Sequence, residues 1–164
     1  MKNQRMLDEL TELMRIDVSS GQETEIAEHL VKKLEQMGFA ITRDEAGATF
    51  GGVCGNILAV REGERDGVVC FCSHMDRVPG GIGIKPVEED GILRSSGDTI
   101  LAADDLSGVA AILEGVRQAI ESGKALPKLE ILFTVGEEAG LYGAKAFDVS
   151  LLTSKTVSYT HLRA

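Results

Sequence analysis

The sequence has no tryptophan, and aromatic residues make up only 4% of it. A hydrophobic core must therefore rest on Leu, Ile, Val and Ala rather than on large rings. Hydrophobic residues still account for 43% of the 164 positions, which is typical of a globular protein. The length fits one ordinary domain with its own core.

Positive charge is also scarce, since 17 lysines and arginines stand against 26 aspartates and glutamates and the net charge is −9. Nucleic acids and anionic membranes attract proteins through clustered basic side chains, so we expect neither as a partner. The sequence lacks an apolar run of membrane-spanning length, and its first residues are polar and amphipathic rather than signal-like. These features predict a cytoplasmic protein.

Cysteine is rare, and no disulfide framework follows from the odd set of Cys54, Cys70 and Cys72. A reducing compartment fits this usage best. The spacing of Cys70 and Cys72 could suggest metal ligands, but the surrounding run GVVCFCSH has the composition of a buried strand. We therefore interpret both residues as part of the core.

Apolar residues at helical spacing predict an amphipathic helix over about 2–15. The run SGQE at 20–23 has the pattern of a capping box, and we expect it to begin a second helix that ends at Gly38. The clearest helix is predicted over 105–122, with an apolar stripe that stops before Gly123.

Extended segments alternate with these helices. The runs at 68–73 and 129–135 are apolar at nearly every position, as in strands that are buried on both faces of a parallel sheet. Other predicted elements are strands at 39–42, 56–61 and 92–95 and a short helix at 141–147. The alternation indicates an α/β fold with right-handed crossovers.

Three short polar segments stand out by position: SHMD at 73–76, ADD at 103–105 and GEE at 136–138. Two of them leave the ends of the buried strands, where sites form in open α/β sheets, and the third begins the long helix. Each alone has an ordinary interpretation as a polar loop, a helix cap or a solvated turn. Together they predict a cluster at one edge of the sheet.

The side chains in these segments suit a metal site. His74, Asp104 and Glu138 supply one imidazole and two carboxylates, a set suited to zinc, cobalt or manganese. Asp76 lies two residues beyond His74 on an extended segment, so it can hold the far imidazole nitrogen. Glu137 is expected to point away from the ligands and to act as a general base toward water.

These segments resemble the M20 metallopeptidase family over about residues 15–155. The runs TILAADD and TVGEEAGLYGAKAFD are most similar to its peptidase T branch, the tripeptide aminopeptidases. The resemblance implies a three-layer α/β/α zinc-peptidase domain of the phosphorylase/hydrolase-like type. In the complete protein, a smaller lid or dimerisation domain would interrupt it, which is compatible with a homodimer.

The resemblance also implies two zinc ions, with cobalt or manganese as alternatives. His74 would bind one metal and Glu138 the other. Asp104 would bridge both and would form a cis peptide bond with Asp105. Glu137 would be the general base, and the implied reaction removes the N-terminal residue from tripeptides or other short peptides.

The sequence departs from the family near its end. The family has an acid in the strand after GEE, which by this resemblance should begin near Thr156, and a late histidine in a longer chain. This chain instead reads VSYTHLRA and stops. We expect residues 1–156 to be the N-terminal part of the catalytic domain and 157–164 to be a non-native tail. The lid domain and the rest of the catalytic domain would be absent. His161 lies in the tail and is not assigned as a ligand, so we expect weak zinc binding and an inactive, poorly soluble chain.

Two other functions stay open on the sequence alone. An M20-like deacylase or amidohydrolase would share the metal core, because substrate choice depends partly on the lid domain. A non-catalytic binding protein on the same fold is less favoured, since it would not need the base Glu137. Arg77 and the loop at 79–81 adjoin the site and are candidates for substrate contact. His29, on the second helix, is interpreted as solvated.

Overall fold

The structure is a computed structural model that describes residues 4–155 and the backbone of residues 157–159. The helices are α1 Gln4–Arg15, α2 Thr24–Gln36, α3 Ala103–Glu121 and α4 Tyr142–Ala146. The strands are β1 Ala40–Arg43, β2 Ile57–Arg61, β3 Val68–His74, β4 Pro86–Glu89, β5 Ile92–Ser95, β6 Lys128–Thr134 and β7 Val157–Tyr159. Short 3₁₀ turns occur at Ala46–Thr49 and Val149–Leu151.

The main sheet has five strands in the order β1-β2-β6-β3-β7. Strand β3 runs parallel to both of its neighbours, β6 and β7, as the two apolar runs predict. The sheet as a whole is mixed, because β2 is antiparallel to both β1 and β6. Strand β6 lies between β2 and β3, so the two buried runs form the adjacent pair at the centre.

Helices α1, α2 and α3 cover one face of the sheet. Their apolar stripes meet the inward side chains of β2 and β6 in one core cluster, which includes Leu13, Leu30, Ile57, Leu113, Ile131 and Phe133. Each of these six side chains is fully buried. The α/β architecture and its aliphatic core are therefore confirmed.

The other face of the sheet carries a smaller apolar cluster. Leu58, Cys72 and Leu132 from three strands pack there with Phe147, and Leu152 lies against them. Cys70 and Cys72 are both buried free thiols, which confirms their interpretation as core residues.

The predicted capping box at 20–23 is wrong. Helix α2 begins at Thr24, and Glu23, at its N-cap position, makes no side-chain cap hydrogen bond. The side chains of Ser20 and Glu23 reach other loops instead, as described below. The predicted strand at 92–95 pairs with β4, which the sequence analysis missed, in a separate two-stranded sheet.

The last described strand begins at Val157, one residue after the predicted start, and pairs with β3 from Cys70 to Cys72. His161 lies outside the described residues. Within the part of the chain that is described, none of the helices combines the length and the apolar character needed to cross a membrane.

Candidate metal centre

The three polar segments meet at one edge of the sheet. Strands β3 and β6 are parallel neighbours, and His74 at the end of β3 lies opposite Thr134 at the end of β6. The GEE segment therefore leaves β6 beside the imidazole. The start of α3 brings Asp104 to the same edge, where its Oδ1 lies 3.4 Å from His74 Nε2.

The strand-end cluster consists of His74, Asp104 and Glu138. One ligand atom from each residue can be chosen so that all three lie within 4.8 Å of one another. The His74 side chain is 2% exposed, whereas that of Asp104 is 40% exposed, so the cluster opens to solvent on the side of the acids. The peptide bond between Asp104 and Asp105 is cis, as the family resemblance implied.

The imidazole of His74 has two distinct sides. Its Nδ1 lies 3.1 Å from the backbone carbonyl of Asp76 and 3.4 Å from the Asp76 carboxylate. Both partners are acceptors, so Nδ1 carries a hydrogen. Its Nε2 faces Asp104 and also Glu137, whose Oε2 is 3.8 Å away. The expectation that Glu137 points away from the cluster is therefore only partly right.

Asp76 holds more than the imidazole. Its fully buried carboxylate accepts hydrogen bonds from the backbone N–H of Glu137 at 2.9 Å and of Glu138 at 3.1 Å. The hydroxyl of Ser20 donates to the same carboxylate at 2.5 Å. Burial raises the pKa of Asp76, but these bonds and His74 outweigh it, so the pKa is lowered and the carboxylate is charged.

The imidazole side of the cluster carries positive charge, and the acidic side carries negative charge. Burial lowers the pKa of His74, but the hydrogen bond and charge of Asp76, together with the charge of Glu137, raise it to about 9. Burial raises the pKa of Glu138, and the carboxylates of Glu137 and Asp104 raise it further against the effect of His74. Negative charge is therefore in excess at the acidic side.

The donor set suits a divalent metal ion. It combines an imidazole nitrogen of His74 with two carboxylate oxygens. The other imidazole nitrogen is held by the carboxylate of Asp76, as is usual for metal-binding histidines. Zinc in catalytic sites has three such protein ligands and one open position. Among the described residues, Asp104 and Glu138 form no ion pair with a lysine or arginine, and the positive charge beside them is that of the His74 imidazole.

Arg77 does not reach the site, contrary to its interpretation as a candidate for substrate contact. It is 1% exposed, and its guanidinium donates to the backbone carbonyls of Leu13, Met14 and Gly81. It thus binds the C-terminal end of α1, where unpaired carbonyls favour a cation.

His29 is not simply solvated either. It belongs to the helix cluster of Glu9, Glu12 and His29, whose ligand atoms also lie within 4.8 Å of one another. Lys33 Nζ lies 2.8 Å from Glu9 and 2.7 Å from Glu12, so a cationic side chain already neutralises these acids. Arg117 adds a second cation 3.2 Å from Glu9.

Ser20 and Glu23 are contact residues that the sequence analysis missed. Glu23 is fully buried and accepts the backbone N–H of Gly136, at the start of the GEE segment. Both residues stand out in the sequence as polar residues in the turn between two helices. Because a capping box already explained them, their contacts with the site were not predicted.

Known proteins share this fold and much of this sequence. Aminopeptidase PepT from Bacillus cereus superposes with a TM-score of 0.94 at 36% identity, over 99% of this chain and 44% of that chain. A tripeptidase from Staphylococcus aureus gives 0.93 at 33% identity, over 99% of this chain and 44% of that one. The resemblance to the tripeptide aminopeptidases is therefore confirmed.

One further relative is a hydrolase with a different name from the two peptidases above. The putative [LysW]-lysine/[LysW]-ornithine hydrolase of Pyrococcus abyssi is 30% identical over 85% of this chain, which covers 35% of that protein. The chain thus spans less than half the length of these relatives. A model of peptidase family M28 matches residues 56–161, which include all three polar segments of the site. The chain belongs to peptidase family M28.

Proposed function

We propose that the chain, which matches the M28 family model and resembles M20 peptidases in its motifs, forms the N-terminal part of the catalytic domain of an M20-type, metal-dependent aminopeptidase. Its reaction would release the N-terminal residue from tripeptides or other short peptides. The observation that carries the proposal is the strand-end cluster, with one imidazole and two carboxylates at a solvent-open edge of the sheet. The likeness to PepT and to the staphylococcal tripeptidase supports the choice of substrate.

The proposed cofactor is a pair of zinc ions, with cobalt or manganese as alternatives. His74 would hold one ion, Glu138 the other, and Asp104 would bridge them. When bound, such ions polarise the scissile carbonyl and lower the pKa of the attacking water.

The remaining steps belong to side chains of this chain. Glu137 would accept the proton of the attacking water and pass it to the leaving amine. Its carboxylate is 11% exposed and faces the imidazole, so it is close enough to the cluster to serve both transfers. Asp76 would keep His74 in the tautomer with hydrogen on Nδ1, which leaves Nε2 free for the metal.

The chain supplies one imidazole and two acids to a site that is proposed to hold two metals. We infer that it binds zinc weakly and is inactive alone, and that the remaining ligands come from parts of a longer protein. The proposed setting is the cytoplasm, which the three free thiols support, without a nucleic acid or membrane partner. The complete protein would be compatible with a homodimer.

An amidohydrolase is the second candidate. The Pyrococcus relative favours it, because that protein is a putative [LysW]-lysine/[LysW]-ornithine hydrolase. Such an enzyme would use the same ligands and the same base, and would differ in the parts that select the substrate. A non-catalytic binding protein is less favoured, since Glu137 at the cluster would have no use in it.

A chimera tests these proposals. Residues 1–155 would be joined to the C-terminal remainder of the Bacillus cereus aminopeptidase, and hydrolysis of tripeptides and of N-acylated lysine would be assayed with zinc, cobalt and manganese. We expect tripeptide hydrolysis by the chimera and none by the chain alone. Glu137→Gln in the chimera should lower kcat by at least about 100-fold and leave the bound metal content unchanged.

Glu12→Gln, on the exposed side of α1, is the matched control and should leave kcat unchanged. Tripeptide hydrolysis by the purified chain alone would overturn its proposed inactivity. Preference for the N-acylated substrate would replace the aminopeptidase by the amidohydrolase. Full activity of the Glu137→Gln chimera would remove this residue as the base.

A further inference from the structure

The segment GEE is held by carboxylates along its whole length. Three successive backbone N–H groups, those of residues 136, 137 and 138, all donate to buried carboxylate oxygens. Gly136 donates to Glu23 at 3.0 Å, and Glu137 and Glu138 donate to the two oxygens of Asp76 at 2.9 and 3.1 Å. Successive N–H groups of this kind form a concave anion-binding surface. Here, two side chains of the protein fill that surface and fix the orientation of three peptide planes.

Glu23 is the distant member of this arrangement. It lies 113 residues from Gly136 in sequence, at the N-terminus of α2, yet its side chain is fully buried. One oxygen, Oε1, accepts from both Gly21 at 2.9 Å and Gly136 at 3.0 Å, so a single atom joins the turn to the GEE segment. The second oxygen has no hydrogen-bond partner among the described residues.

Ser20 begins the same turn and reaches the second loop of the site. Its hydroxyl donates to Asp76 Oδ2, the oxygen that also accepts the N–H of Glu138. The turn at 20–23 therefore contacts both strand-end loops, one through a hydroxyl and one through a carboxylate. Ser20 and Glu23 are not proposed as metal ligands, yet they fix the positions of the ligands His74 and Glu138.

We propose that Ser20 and Glu23 are positioning residues of the metal site, and that Glu23 sets the orientation of the segment carrying Glu137 and Glu138. This inference rests on the proposed function, because it assigns the two residues to the metal cluster. It assigns them no contact with substrate or metal. Their effect runs through hydrogen bonds to Asp76 and to the amide of Gly136.

The alternative is a merely structural role, in which Glu23 ties α2 to the sheet and the cluster tolerates its loss. The two roles differ in what they predict for metal affinity. Residues that do not bind the metal but orient its ligands through hydrogen bonds change metal affinity by about 10–100-fold when they are removed. A residue that only stabilises the fold changes the unfolding midpoint and leaves metal affinity unchanged.

The experiment uses the 164-residue chain with cobalt(II) as the probe, because its visible absorption reports coordination directly. We expect Glu23→Ala to weaken cobalt binding by about 10–100-fold and Ser20→Ala by about 10-fold. Glu23→Gln keeps one carbonyl oxygen for the two N–H groups, so it should retain affinity within about threefold of the unchanged chain. Glu9→Ala removes another buried carboxylate, that of the helix cluster, and serves as the matched control.

Amide hydrogen exchange by NMR adds a readout that needs no metal. In Glu23→Ala, the amide of residue 136 should exchange faster, while amides at the centre of β6 stay protected. Cobalt affinity that is unchanged in both Glu23→Ala and Ser20→Ala would overturn the inference, as would loss of affinity in Glu9→Ala to the same extent. If Glu23→Ala does not fold, the milder Ser20→Ala decides the outcome by the same criterion.

Failure of the proposed function looks different. The unchanged chain would then bind no cobalt at millimolar concentration, before any variant is made. The exchange rates of residues 136–138 would still report whether Glu23 and Ser20 hold the segment. The expected combination is weakened cobalt binding, faster exchange at residue 136 and rescue by Glu23→Gln.

Discussion

Two clusters in this chain contain the same kinds of side chain and differ in what neutralises them. The strand-end cluster and the helix cluster each join one histidine to two acids, with ligand atoms within 4.8 Å of one another. In the helix cluster, the ammonium group of Lys33 lies within 2.8 Å of both acids. In the strand-end cluster, the charged neighbours of Glu138 are His74 and three other carboxylates, without a lysine or arginine among the described residues.

The pKa shifts of the acids follow this difference. Burial raises the pKa of Glu9, but the nearby imidazole of His29 and the ion pairs with Lys33 and Arg117 outweigh it and lower the pKa to about 2. The pKa of Glu138 is raised by burial and by its acidic neighbours. Ligand chemistry alone therefore does not mark a metal site. An excess of negative charge without a lysine or arginine beside it does so better, because an external cation then has charge to neutralise.

We expect the two clusters to differ most in metal binding when the histidine of each is removed. His74→Ala removes the only imidazole of the strand-end cluster and should weaken zinc or cobalt binding by more than about 100-fold, beyond what loss of an outer partner causes. His29→Ala is the matched control and should leave affinity unchanged, because Lys33 occupies its cluster. Calorimetric titration of the two variants measures both.

Equal losses in the two variants would contradict the comparison, since metal would then bind at both clusters. Unfolding curves without metal should be recorded first. The imidazole of His74 is buried, and a cavity at that position lowers stability independently of metal.

Much of the strand-end cluster could be predicted because its signals are local. The apolar runs 68–73 and 129–135 mark two buried strands, and the chemistry falls at their ends. Parallel pairing of those strands then brings His74 beside the GEE segment. Hydrophobic pattern and residue type together suffice for this step.

The remaining contacts are not local, and their residues have equally good local explanations. Arg77, near the loop at 79–81, is by its position in the sequence a candidate for substrate contact, yet it is buried against the end of α1. Glu23 fits a capping box, yet it binds Gly136. His29 on an amphipathic helix suggests a solvated face, yet that face meets Glu9 of α1. Only the packing of distant elements decides between these alternatives.

The clusters also differ in the backbone that carries their acids. Glu9 and Glu12 lie on a regular helix, whereas Glu138 follows Gly136, which has a φ of 59°. A Cβ at Gly136 would lie 2.6 Å from the ring of Phe50. Gly136→Ala should therefore lower the free energy of unfolding by about 3 kcal/mol, through backbone strain and overpacking together.

Gly123 provides the control for this variant. It also has a positive φ, of 66°, but among the described residues beyond its own chain neighbours no atom lies within 4 Å of its added Cβ. Gly123→Ala should cost only about 1 kcal/mol in urea unfolding, the part that is due to the backbone. Similar losses in both variants would mean that Phe50 moves aside and does not shape the GEE segment.

The charge compensation of the helix cluster predicts a dependence of stability on pH. The pKa of Glu9 is lowered in the folded state, from 4.5 to about 2. Its contribution is therefore fully present above pH 4.5 and is lost as the pH falls from about 4.5 to about 2. Over this window, the unchanged chain should lose about 2 kcal/mol more of its unfolding free energy than Glu9→Gln, which cannot ionise.

Urea unfolding at several pH values measures this difference, and Glu12→Gln is its control. The Glu12 side chain is 53% exposed, against 3% for Glu9, so its loss should change the acid dependence less. Parallel acid profiles for Glu9→Gln and the unchanged chain would show that the ion pairs of Glu9 contribute nothing net.

The smallest expected effect tests the comparison most directly. If the internal cation is what keeps metal out of the helix cluster, then Lys33→Ala should make it a weak metal site. To isolate that site, the variant is combined with His74→Ala. The three donors remain, but Arg117 still pairs with Glu9, so zinc or cobalt should bind with a Kd no tighter than about 1 mM. Addition of His29→Ala should abolish this binding, because the imidazole is the ligand that distinguishes the cluster from a pair of acids.

A double variant that binds no metal would mean that removal of the cation is not enough. The open, strand-end geometry around Asp104 would then be the second requirement, one that the helix cluster does not meet.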